Sequence, residues 1–437
     1  MIIATIVFII FSNLYMLLYT ADMTNLAVPA TILIGIPFAL LNVFPSFSRF
    51  PVKRLLNIKR GTNLLIEFLV TVTVDAGVLM FMLISGNYEA KAMWLNSIGA
   101  VICGNIIFWN GILRVYLSAH QLGIKWRVIG LLCGMIPIAH LVVLGIIIGI
   151  ATREYRDETA RYKLNKAREE DQVCKTRYPL LMVHGVFFRD RKSFNYWGRI
   201  PDDLEKNGAV VYYGNQQSAE SVVDSGKHLA ERIKQIVEET GCGKVNIIAH
   251  SKGGLDSRCA ITMWGAAPYV ASLTTINSPH RGCQFADYIL GKAPEGLLNA
   301  VAGQYNGALR KLGDTNPDFV SAVKGLTHDA CVRFNEECPD SPEVYYQSVG
   351  SKSVSAAGGR FPLNLSYQFV KHFDGPNDGL VSVPSMEWGS NFVQVFPKKN
   401  RGITHGDMID LNRENIDGFD VRETYVQMVS NLKERGL

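Results

Sequence analysis

The chain has 437 residues, 48% of them hydrophobic, which is a high fraction for a soluble protein and enough length for two or three domains. Its net charge is only +5, and its basic residues do not interleave with aromatic ones on a recognisable face, which argues against nucleic-acid binding. The eight cysteines include no CxxC pair, so a zinc site of that kind is not predicted.

The hydrophobic residues are concentrated in the first third of the chain. Five apolar segments there each approach the ~20 residues that a helix needs to cross a bilayer. We predict that they form an all-α membrane domain of about five transmembrane helices over residues 1–151. Glu67 and Asp75 lie within the third segment, and we expect them to pair within the bundle or lie near a helix end rather than serve transport. The segments are, approximately, Ile2 to Tyr19, Leu26 to Phe44, Leu64 to Ser85, Met93 to Leu117 and Val128 to Ala151.

The loop after the second segment, "SRFPVKRLLNIKRGT", carries five basic and no acidic residues. Short loops rich in Lys and Arg stay in the cytoplasm. Alternation of five crossings then places the chain after residue 151 on the outside. The sequence therefore predicts an integral protein of the cell membrane whose remaining part is extracytoplasmic, although Arg153 and Arg156 argue for the opposite side.

Residues 152–177 mix basic and acidic side chains, which is typical of a solvated juxtamembrane helix and favours a linker over a lipid-binding surface. From residue 178 to residue 437, short apolar runs alternate with helical patterns such as "SGKHLAERIKQIVEET". That alternation predicts an α/β domain with a mostly parallel sheet covered by helices. The strand-like runs are "YPLLMVHG", "GAVVYYG", "KVNIIAHS", "VASLTTINSP" and "NFVQVFP".

The third of these runs continues as "VNIIAHSKGGLDSRCA", which places Ser251 between a strand and a helix. A nucleophilic serine on such a turn occupies a strained backbone position, and bulky residues two positions away would collide with the neighbouring strand and helix. Ala249 and Gly253 meet this requirement. The alternative is an ordinary strand-to-helix turn. The choice between the two depends on whether the sequence also supplies the other catalytic groups.

A serine hydroxyl needs a base to take its proton and an acid to orient that base, in the chain order serine, acid, histidine for this kind of sheet. His405 in "KNRGITHGDMID" follows the last strand-like run, and Asp378 in "DGPNDGLVSVPS" precedes it, with Asp374 as the competing acid. Two backbone N–H groups should bind the oxyanion. We expect them from Lys252, directly after the serine, and from Val186 in "VHGVFF".

Residues 178–437 resemble the secreted triacylglycerol lipases of Pseudomonas and Burkholderia, members of the α/β-hydrolase superfamily. The resemblance implies an α/β-hydrolase fold with a helical lid, and it implies Ser251 as nucleophile, Asp378 as acid, His405 as base and the N–H groups of Val186 and Lys252 as the oxyanion hole. The matching segments are, in order, "LLMVHGVFF", "FNYWGRIPDDLEKNGAVVYYGNQQS", "KVNIIAHSKGGLDSR", "INSPHRGCQFAD", "CVRFNEECPD", "NDGLVSVPS" and "THGDMID".

The sequence departs from that family in three respects. Ala249 replaces the usual first glycine of the serine motif. The family's calcium site is matched only by Asp407, two residues after the histidine, so no cofactor is predicted to be required and Asp407 remains a candidate calcium ligand. The membrane segments are absent from the secreted enzymes, so membrane anchoring is a feature of this chain.

A lid is predicted between Cys283 and Leu326, where apolar residues recur at helical spacing. Such a stripe is also typical of a buried core face, but the family resemblance favours a mobile lid that contacts substrate. The residues of the stripe are Leu298, Val301, Tyr305, Leu309 and Leu312.

Together these features predict a membrane-anchored serine ester hydrolase, a lipase acting on carboxylic esters of lipids such as acylglycerols through an acyl-enzyme intermediate. Its partners would be the lipid ester substrate and the membrane. Two alternatives stay open. One is a phospholipase or acyltransferase that uses the same triad, and the other is a non-catalytic membrane protein with a hydrolase-like binding domain.

Overall fold

The computed structural model describes residues 2–45, 50–136, 138–186, 195–217, 219–292, 294–311, 314–315, 317–359, 363–395 and 401–437, without the side chains of Glu295, Leu297 and Val301. The chain forms two compact units, Met1–Leu164 and Asn165–Leu437. The predicted boundaries were residues 151/152 and 177/178. The charged segment between them does not form a separate element, because its first part continues a helix that begins at Ala139 and ends at Ala167.

The first unit is helical. Three of its described helices are long and apolar enough to cross a membrane, or four if a pair bent by 65° around Asn13 counts as one span. Its helices are α1 (Ile2–Ser12), α2 (Leu14–Thr20), α3 (Ala27–Val43), α4 (Lys53–Ser85), α5 (Ala90–Ser118), α6 (Gly123–Cys133) and α7 (Ala139–Ala167).

The fifth predicted segment, residues 128–151, is not one helix. It is divided between α6 and α7, and Ile138 just before α7 has a left-handed backbone with φ of 67°. Pro137, which precedes it in the sequence, lies outside the described residues. Among the described helices, neither α6 nor α7 is therefore counted as long and apolar enough to cross a membrane.

Polar side chains join the helices of the first unit. Glu67 on α4 accepts a 2.7 Å hydrogen bond from the Thr5 hydroxyl of α1, and Asp75 accepts bonds from Ser12 (2.7 Å) and Asn13 (2.6 Å). Both carboxylates thus find hydrogen-bond partners within the bundle, as the sequence led us to expect. Such bonds satisfy polar groups that lipid cannot.

Over its described residues, the second unit forms a six-stranded sheet in the order β2-β1-β3-β4-β5-β6, and all five strand pairs are parallel. The mostly parallel sheet that the sequence predicts is confirmed. The five predicted strands all form, and a sixth, β5, was not predicted from the sequence. The strands are β1 (Leu180–Val183), β2 (Val211–Tyr213), β3 (Val245–His250), β4 (Val270–Ile276), β5 (Tyr345–Ser351) and β6 (Asn391–Val395).

Helices cover both faces of this sheet. Successive side chains of β3 point to opposite sides. Ile247 packs in a cluster with Ile233, and Ile248 packs in a second cluster with Trp197 and Tyr425. The described helices of this unit are α8 (Ile200–Lys206), α9 (Val222–Thr240), α10 (Lys252–Thr262), α11 (Gln284–Lys292), α12 (Glu295–Lys311), α13 (Phe319–Lys324), α14 (His328–Glu337), α15 (Leu363–Asp374), α16 (Val383–Met386) and α17 (Val421–Glu434).

Local sequence signals account for α9, the helix that packs most closely against α10. The Ser221 hydroxyl accepts a hydrogen bond from the Asp224 N–H and caps the first turn. Leu229, Ile233 and Ile236 form the buried face, and Gly241 ends the helix with a positive φ. Since Ser251 alone separates the end of β3 from the start of α10, this packing fixes the position of the turn that carries Ser251.

Candidate active site

Ser251 is the single residue between β3 and α10. Its backbone has φ of 56° and ψ of −130°, a sparsely populated conformation for a residue with a Cβ. The Ser251 N–H donates to the Ile276 carbonyl of the adjacent strand β4 at 2.9 Å, which anchors the turn to the sheet. The strained turn therefore places Ser251 at the carboxyl edge of the sheet, where the loops that follow the neighbouring strands meet.

Small residues around Ser251 are required by close packing. A Cβ built on Gly253 would lie 2.5 Å from the His184 carbonyl oxygen and 2.8 Å from the Val183 oxygen, so α10 begins directly against the end of β1. A Cβ on Gly185 would lie 2.9 Å from the Ser251 Cβ. The loop after β1 thus lies against the candidate nucleophile, as an oxyanion-binding loop must.

Asp378 and His405 are brought together by the structure. The His405 Nδ1 lies 2.7 Å from Asp378 Oδ2, and the His405 backbone N–H donates to the Asp378 carbonyl at 3.0 Å. The other carboxylate oxygen accepts 2.8 Å hydrogen bonds from the N–H groups of Leu380 and Val381. Asp378 is fully buried and His405 is 7% exposed. Asp378 is therefore held through both carboxylate oxygens, one by the histidine ring and the other by two backbone N–H groups.

Asn277, which was not predicted from the sequence, is a further hydrogen-bond donor to Asp378. It follows β4 directly, and its side-chain amide donates 2.7 Å hydrogen bonds to Asp378 Oδ2 and to the Ser351 hydroxyl at the end of β5. Asp374, the competing acid, accepts bonds from the N–H groups of Gln284 and Phe285 at the start of α11. Asp374 therefore caps a helix, while Asp378 holds the histidine.

His250 connects these groups to Ser251. Its ring lies 4.4 Å from the His405 ring, centroid to centroid, which places His405 beside the turn of the serine. The His250 Nδ1 lies 2.7 Å from the Tyr196 hydroxyl, which accepts a 3.1 Å hydrogen bond from the Gly185 N–H. Burial, together with the nearby His405, lowers the pKa of His250 well below its usual range, so this imidazole stays neutral.

The loop that carries Val186 is stabilised by the side chains of His184 and Gln216. The buried His184 ring contacts the carbonyls of Gly185 (2.8 Å) and Gln216 (3.0 Å), and the Gln216 amide donates to the His184 carbonyl at 2.9 Å. Val186 is half-buried and is the last described residue before the gap at residues 187–194. The loop thus approaches the start of α10, where Lys252 is the first helical residue.

The Lys252 side chain is buried in the interface between α9 and α10. Its Nζ donates to Asp256 Oδ1 at 2.7 Å and to the Ser225 hydroxyl at 2.9 Å. Burial raises the pKa of Asp256 to about 6, although the Lys252 ammonium opposes that rise. The ion pair fixes the first turn of α10, whose backbone N–H at Lys252 is the second predicted oxyanion donor.

The predicted lid corresponds mainly to α12. Leu309 is 2% exposed and packs in a small cluster with Ala219 and Ala322, whereas Leu298 is half-buried. The Tyr305 ring stacks on Phe319 at 4.7 Å. The side chain of Val301 and all of Leu312 lie outside the described residues. One end of the predicted apolar stripe is thus packed against the domain.

Asp407, the candidate calcium ligand, lies two residues after His405 and is 4% exposed. Its Oδ2 accepts a 2.8 Å hydrogen bond from the Thr404 N–H and lies 3.1 Å from the Arg401 guanidinium. Within the ranges that the structure describes, no group of three or more His, Cys, Asp or Glu side chains is arranged to hold a metal ion.

The parallel sheet, the strained serine between β3 and α10, and the buried Asp378–His405 pair at the same edge define an α/β-hydrolase fold. No family model matches the chain. The chain is 32% identical over 263 residues to "Triacylglycerol lipase 2" of Saccharomyces cerevisiae. The matched region covers 56% of this chain and 75% of the yeast protein. The chain therefore belongs to the triacylglycerol lipase family, as its sequence motifs suggested.

Two bacterial relatives agree with this assignment. A triacylglycerol lipase of Pseudarthrobacter phenanthrenivorans is 36% identical over 183 residues, 39% of this chain and 57% of that protein. A triacylglycerol lipase of Vibrio cholerae is 28% identical over 295 residues, 62% of this chain and 92% of that protein. The chain spans little more than half the length of the first of these two relatives.

Proposed function

We propose that the protein is a membrane-anchored serine hydrolase that cleaves carboxylic esters of lipids, with acylglycerols as the substrate class. The observation that carries this proposal is the 2.7 Å contact between His405 Nδ1 and Asp378 Oδ2 beside the strained turn of Ser251. Family membership supports lipid esters as substrates, because the relatives are triacylglycerol lipases.

In the proposed reaction, the Ser251 hydroxyl oxygen attacks the ester carbonyl carbon while His405 accepts the hydroxyl proton. The negative charge on the carbonyl oxygen is stabilised by the N–H groups of Lys252 and Val186. Asp378, which accepts three further hydrogen bonds from Asn277, Leu380 and Val381, keeps His405 oriented and stabilises its positive charge.

Collapse of the tetrahedral intermediate breaks the bond to the alcohol, which leaves with the proton held by His405. Water then enters, His405 removes one of its protons, and the resulting hydroxide attacks the acyl-enzyme. The second collapse releases the carboxylic acid and returns the proton to Ser251. Each proton that His405 accepts is passed on, so the enzyme is restored after one ester is hydrolysed.

A substrate panel tests this proposal. Purified protein in detergent should release fatty acid from emulsified di- and triacylglycerols, and Ser251→Ala should abolish the release without changing thermal unfolding. Release from phospholipids alone would assign a phospholipase. Transfer of the acyl group to an alcohol without net fatty-acid release would assign an acyltransferase, and no turnover of any ester would favour the non-catalytic alternative.

We propose in addition that α12 acts as a lid over the site. Leu309 packs on the domain with Ala219 and Ala322, whereas Tyr305 is 40% exposed, so one side of α12 is held by the domain and another faces outward. Charged substitution at Leu298 should then weaken activity on emulsions and leave hydrolysis of short soluble esters intact. Equal loss on both substrates would assign a core role to this helix.

The catalytic domain is proposed to lie outside the cell membrane. The segment Lys53 to Arg60, predicted as a loop, forms the first turns of α4. This orientation rests on those basic turns being cytoplasmic and on residues 128–151 crossing the bilayer despite their division into α6 and α7. Protease added to intact cells should then release a fragment of roughly 30 kDa, the share of Asn165–Leu437 in the 48.5 kDa chain. Protection until lysis would indicate that α6 and α7 do not complete a fifth crossing.

A further inference from the structure

The segment after His405 carries four acidic residues within eleven positions. They are Asp407, Asp410, Glu414 and Asp417. The family resemblance implies a calcium ion bound through the first of them. Whether the residues present fit such an ion depends on what their carboxylate oxygens already contact, since calcium requires six to eight oxygen ligands.

Both oxygens of Asp407 face one guanidinium group. Arg401 Nη1 lies 3.1 Å from Oδ2, and Arg401 Nη2 lies 3.3 Å from Oδ1. The same Nη2 lies 3.3 Å from Glu414 Oε2, so Arg401 bridges the two carboxylates. The Thr404 N–H supplies a further donor to Asp407. The position beside Asp407 is therefore already cationic.

A second arginine holds Asp410 in the same manner. Asp410 has a left-handed backbone with φ of 54° and is 3% exposed. The Arg199 backbone N–H and Nε donate to its Oδ2 at 2.9 and 2.7 Å, and Arg199 Nη2 donates to Oδ1 at 2.8 Å. Arg199 Nη1 also donates to Asn415 at 2.8 Å. Such a bidentate geometry is the strongest form of an arginine–carboxylate pair.

These contacts do not fit a calcium site. A divalent ion at Asp407 would lie next to the fixed positive charge of Arg401, and it would compete for oxygens that already accept hydrogen bonds. Arg199 likewise uses both oxygens of Asp410. An arginine cannot release its charge by deprotonation in a protein, so the conflict does not relax with pH.

We infer that Arg401 and Arg199 are positioning residues that hold the His405 segment in place of a metal ion, and that the domain needs no calcium. Thr404, whose N–H binds Asp407, is the neighbour of His405, so the Arg401 bridge fixes the backbone from which the imidazole extends. Arg199 attaches the far side of the same segment to the start of α8. The kinetic part of this inference rests on the proposed hydrolase function, while the calcium part does not.

The first test needs no enzymatic activity. The midpoint of thermal unfolding of the full-length protein in detergent is measured in EGTA and in millimolar calcium chloride, with magnesium chloride as the control for ionic strength. The inference predicts the same midpoint in all three buffers. A midpoint that falls in EGTA and is restored by calcium but not by magnesium would overturn it.

The second test compares Arg401→Gln with Arg401→Lys. Arg401→Gln should lower kcat by tenfold or more with little change in KM, because a shift of ~1 Å in a catalytic group can cost up to about 100-fold. Arg401→Lys, which keeps the charge, should recover most of the lost rate. The matched control is Arg168→Gln, which removes a two-pronged pair with Glu423 on α17 and should leave kcat unchanged.

Unchanged kcat in a folded Arg401→Gln variant would contradict the positioning role. If that variant does not fold, the comparison of Arg401→Lys with the unaltered protein and the calcium titration decide the question. Absence of any ester hydrolysis in the unaltered protein would reject the proposed function, yet the calcium titration of unfolding would still test the inference.

Discussion

At the scale of single residues, the acid is the least obvious member of the site. Asp374 and Asp378 lie four positions apart, and both precede the histidine. The structure separates them by their partners, since Asp378 contacts the His405 ring and Asp374 caps α11. The two aspartates have the same side chain, but their hydrogen-bond partners give one the role of orienting the histidine and the other the role of a helix cap.

Asp378→Asn should therefore reduce kcat by about 10⁴-fold, because an amide cannot stabilise the imidazolium and favours the wrong tautomer. Asp374→Asn should cost at most ~1 kcal/mol of stability through a weaker helix cap, with kcat nearly unchanged. Steady-state kinetics on a soluble ester, combined with thermal unfolding, separates the two variants. The opposite ranking of kcat would move the acid role to Asp374.

Tyr196 offers a second test at this scale. Its hydroxyl joins the Gly185 N–H to the His250 ring, so Tyr196→Phe leaves a buried N–H without its partner and should cost ~1–3 kcal/mol of stability. It should also lower kcat, because Gly185 lies against Ser251. Tyr346→Phe is the matched control, since that hydroxyl accepts a 3.1 Å bond from the Ser341 N–H at the opposite edge of the sheet. Equal kcat in both variants would remove Tyr196 from the support of the site.

Sequence reasoning could propose Ser251, Asp378 and His405 because these residues must occur in a fixed order along the chain. It could not propose Tyr196 or Asn277. Both act through contacts between segments distant in sequence, such as the 101 positions between Asn277 and Asp378. A tyrosine in a loop or an asparagine after a strand carries no local pattern that distinguishes support of a site from ordinary packing.

At the scale of elements, the start of α10 depends on Gly253. Gly253→Ala would place a methyl group 2.5 Å from a backbone oxygen of His184, which cannot move like a flexible side chain. We expect a loss of ~1–3 kcal/mol of stability and a larger loss of kcat, because α10 and the loop after β1 must separate. Activity and unfolding of the variant check this expectation.

The control for that substitution is Gly303→Ala within α12, where an added Cβ meets no atom within 4 Å. Alanine is the better helix former, so this variant should be stabilised by up to about 1 kcal/mol. If Gly253→Ala behaved like Gly303→Ala, the close approach of α10 to β1 would not be needed for the site.

Two elements show where pattern reasoning is weak. The strand β5 reads "YYQSVGS", in which polar and small residues hide the strand pattern, yet all but the first of its residues are buried by neighbours on both sides. The apolar segment from residue 128 to residue 151 has the length of one span, but hydropathy does not register the interruption near Pro137. Tertiary packing buries β5, and the left-handed backbone of Ile138 lies where the apolar segment divides into α6 and α7.

At the scale of the whole molecule, buried titratable groups link stability to pH. Burial lowers the pKa values of His250 and His280 well below their usual range, so the folded domain keeps both neutral while the unfolded chain protonates them near their ordinary pKa of 6.5. The unfolded state therefore binds more protons below that pH, and stability falls as pH decreases, by ~1.4 kcal/mol per pH unit for each histidine.

Asp256 opposes this trend. Its pKa of about 6 in the folded domain exceeds the ordinary value of 3.8, so the folded state binds a proton there that the unfolded state does not. The net result should be a free energy of unfolding that decreases from pH 7 to pH 5, and more steeply in Asp256→Asn. Denaturant titrations of the domain's tryptophan fluorescence measure the slope, and stability that increased toward pH 5 would refute the assignment of two buried neutral histidines.

The proposed hydrolysis depends above all on Ser251 being the nucleophile. A fluorophosphonate probe reacts with an activated serine and leaves a stable adduct that peptide mass spectrometry can locate. We expect one adduct on the peptide that contains Ser251, no adduct in Ser251→Ala, and much slower labelling in Asp378→Asn. A folded protein that is not labelled, or one labelled at a different serine, would contradict it.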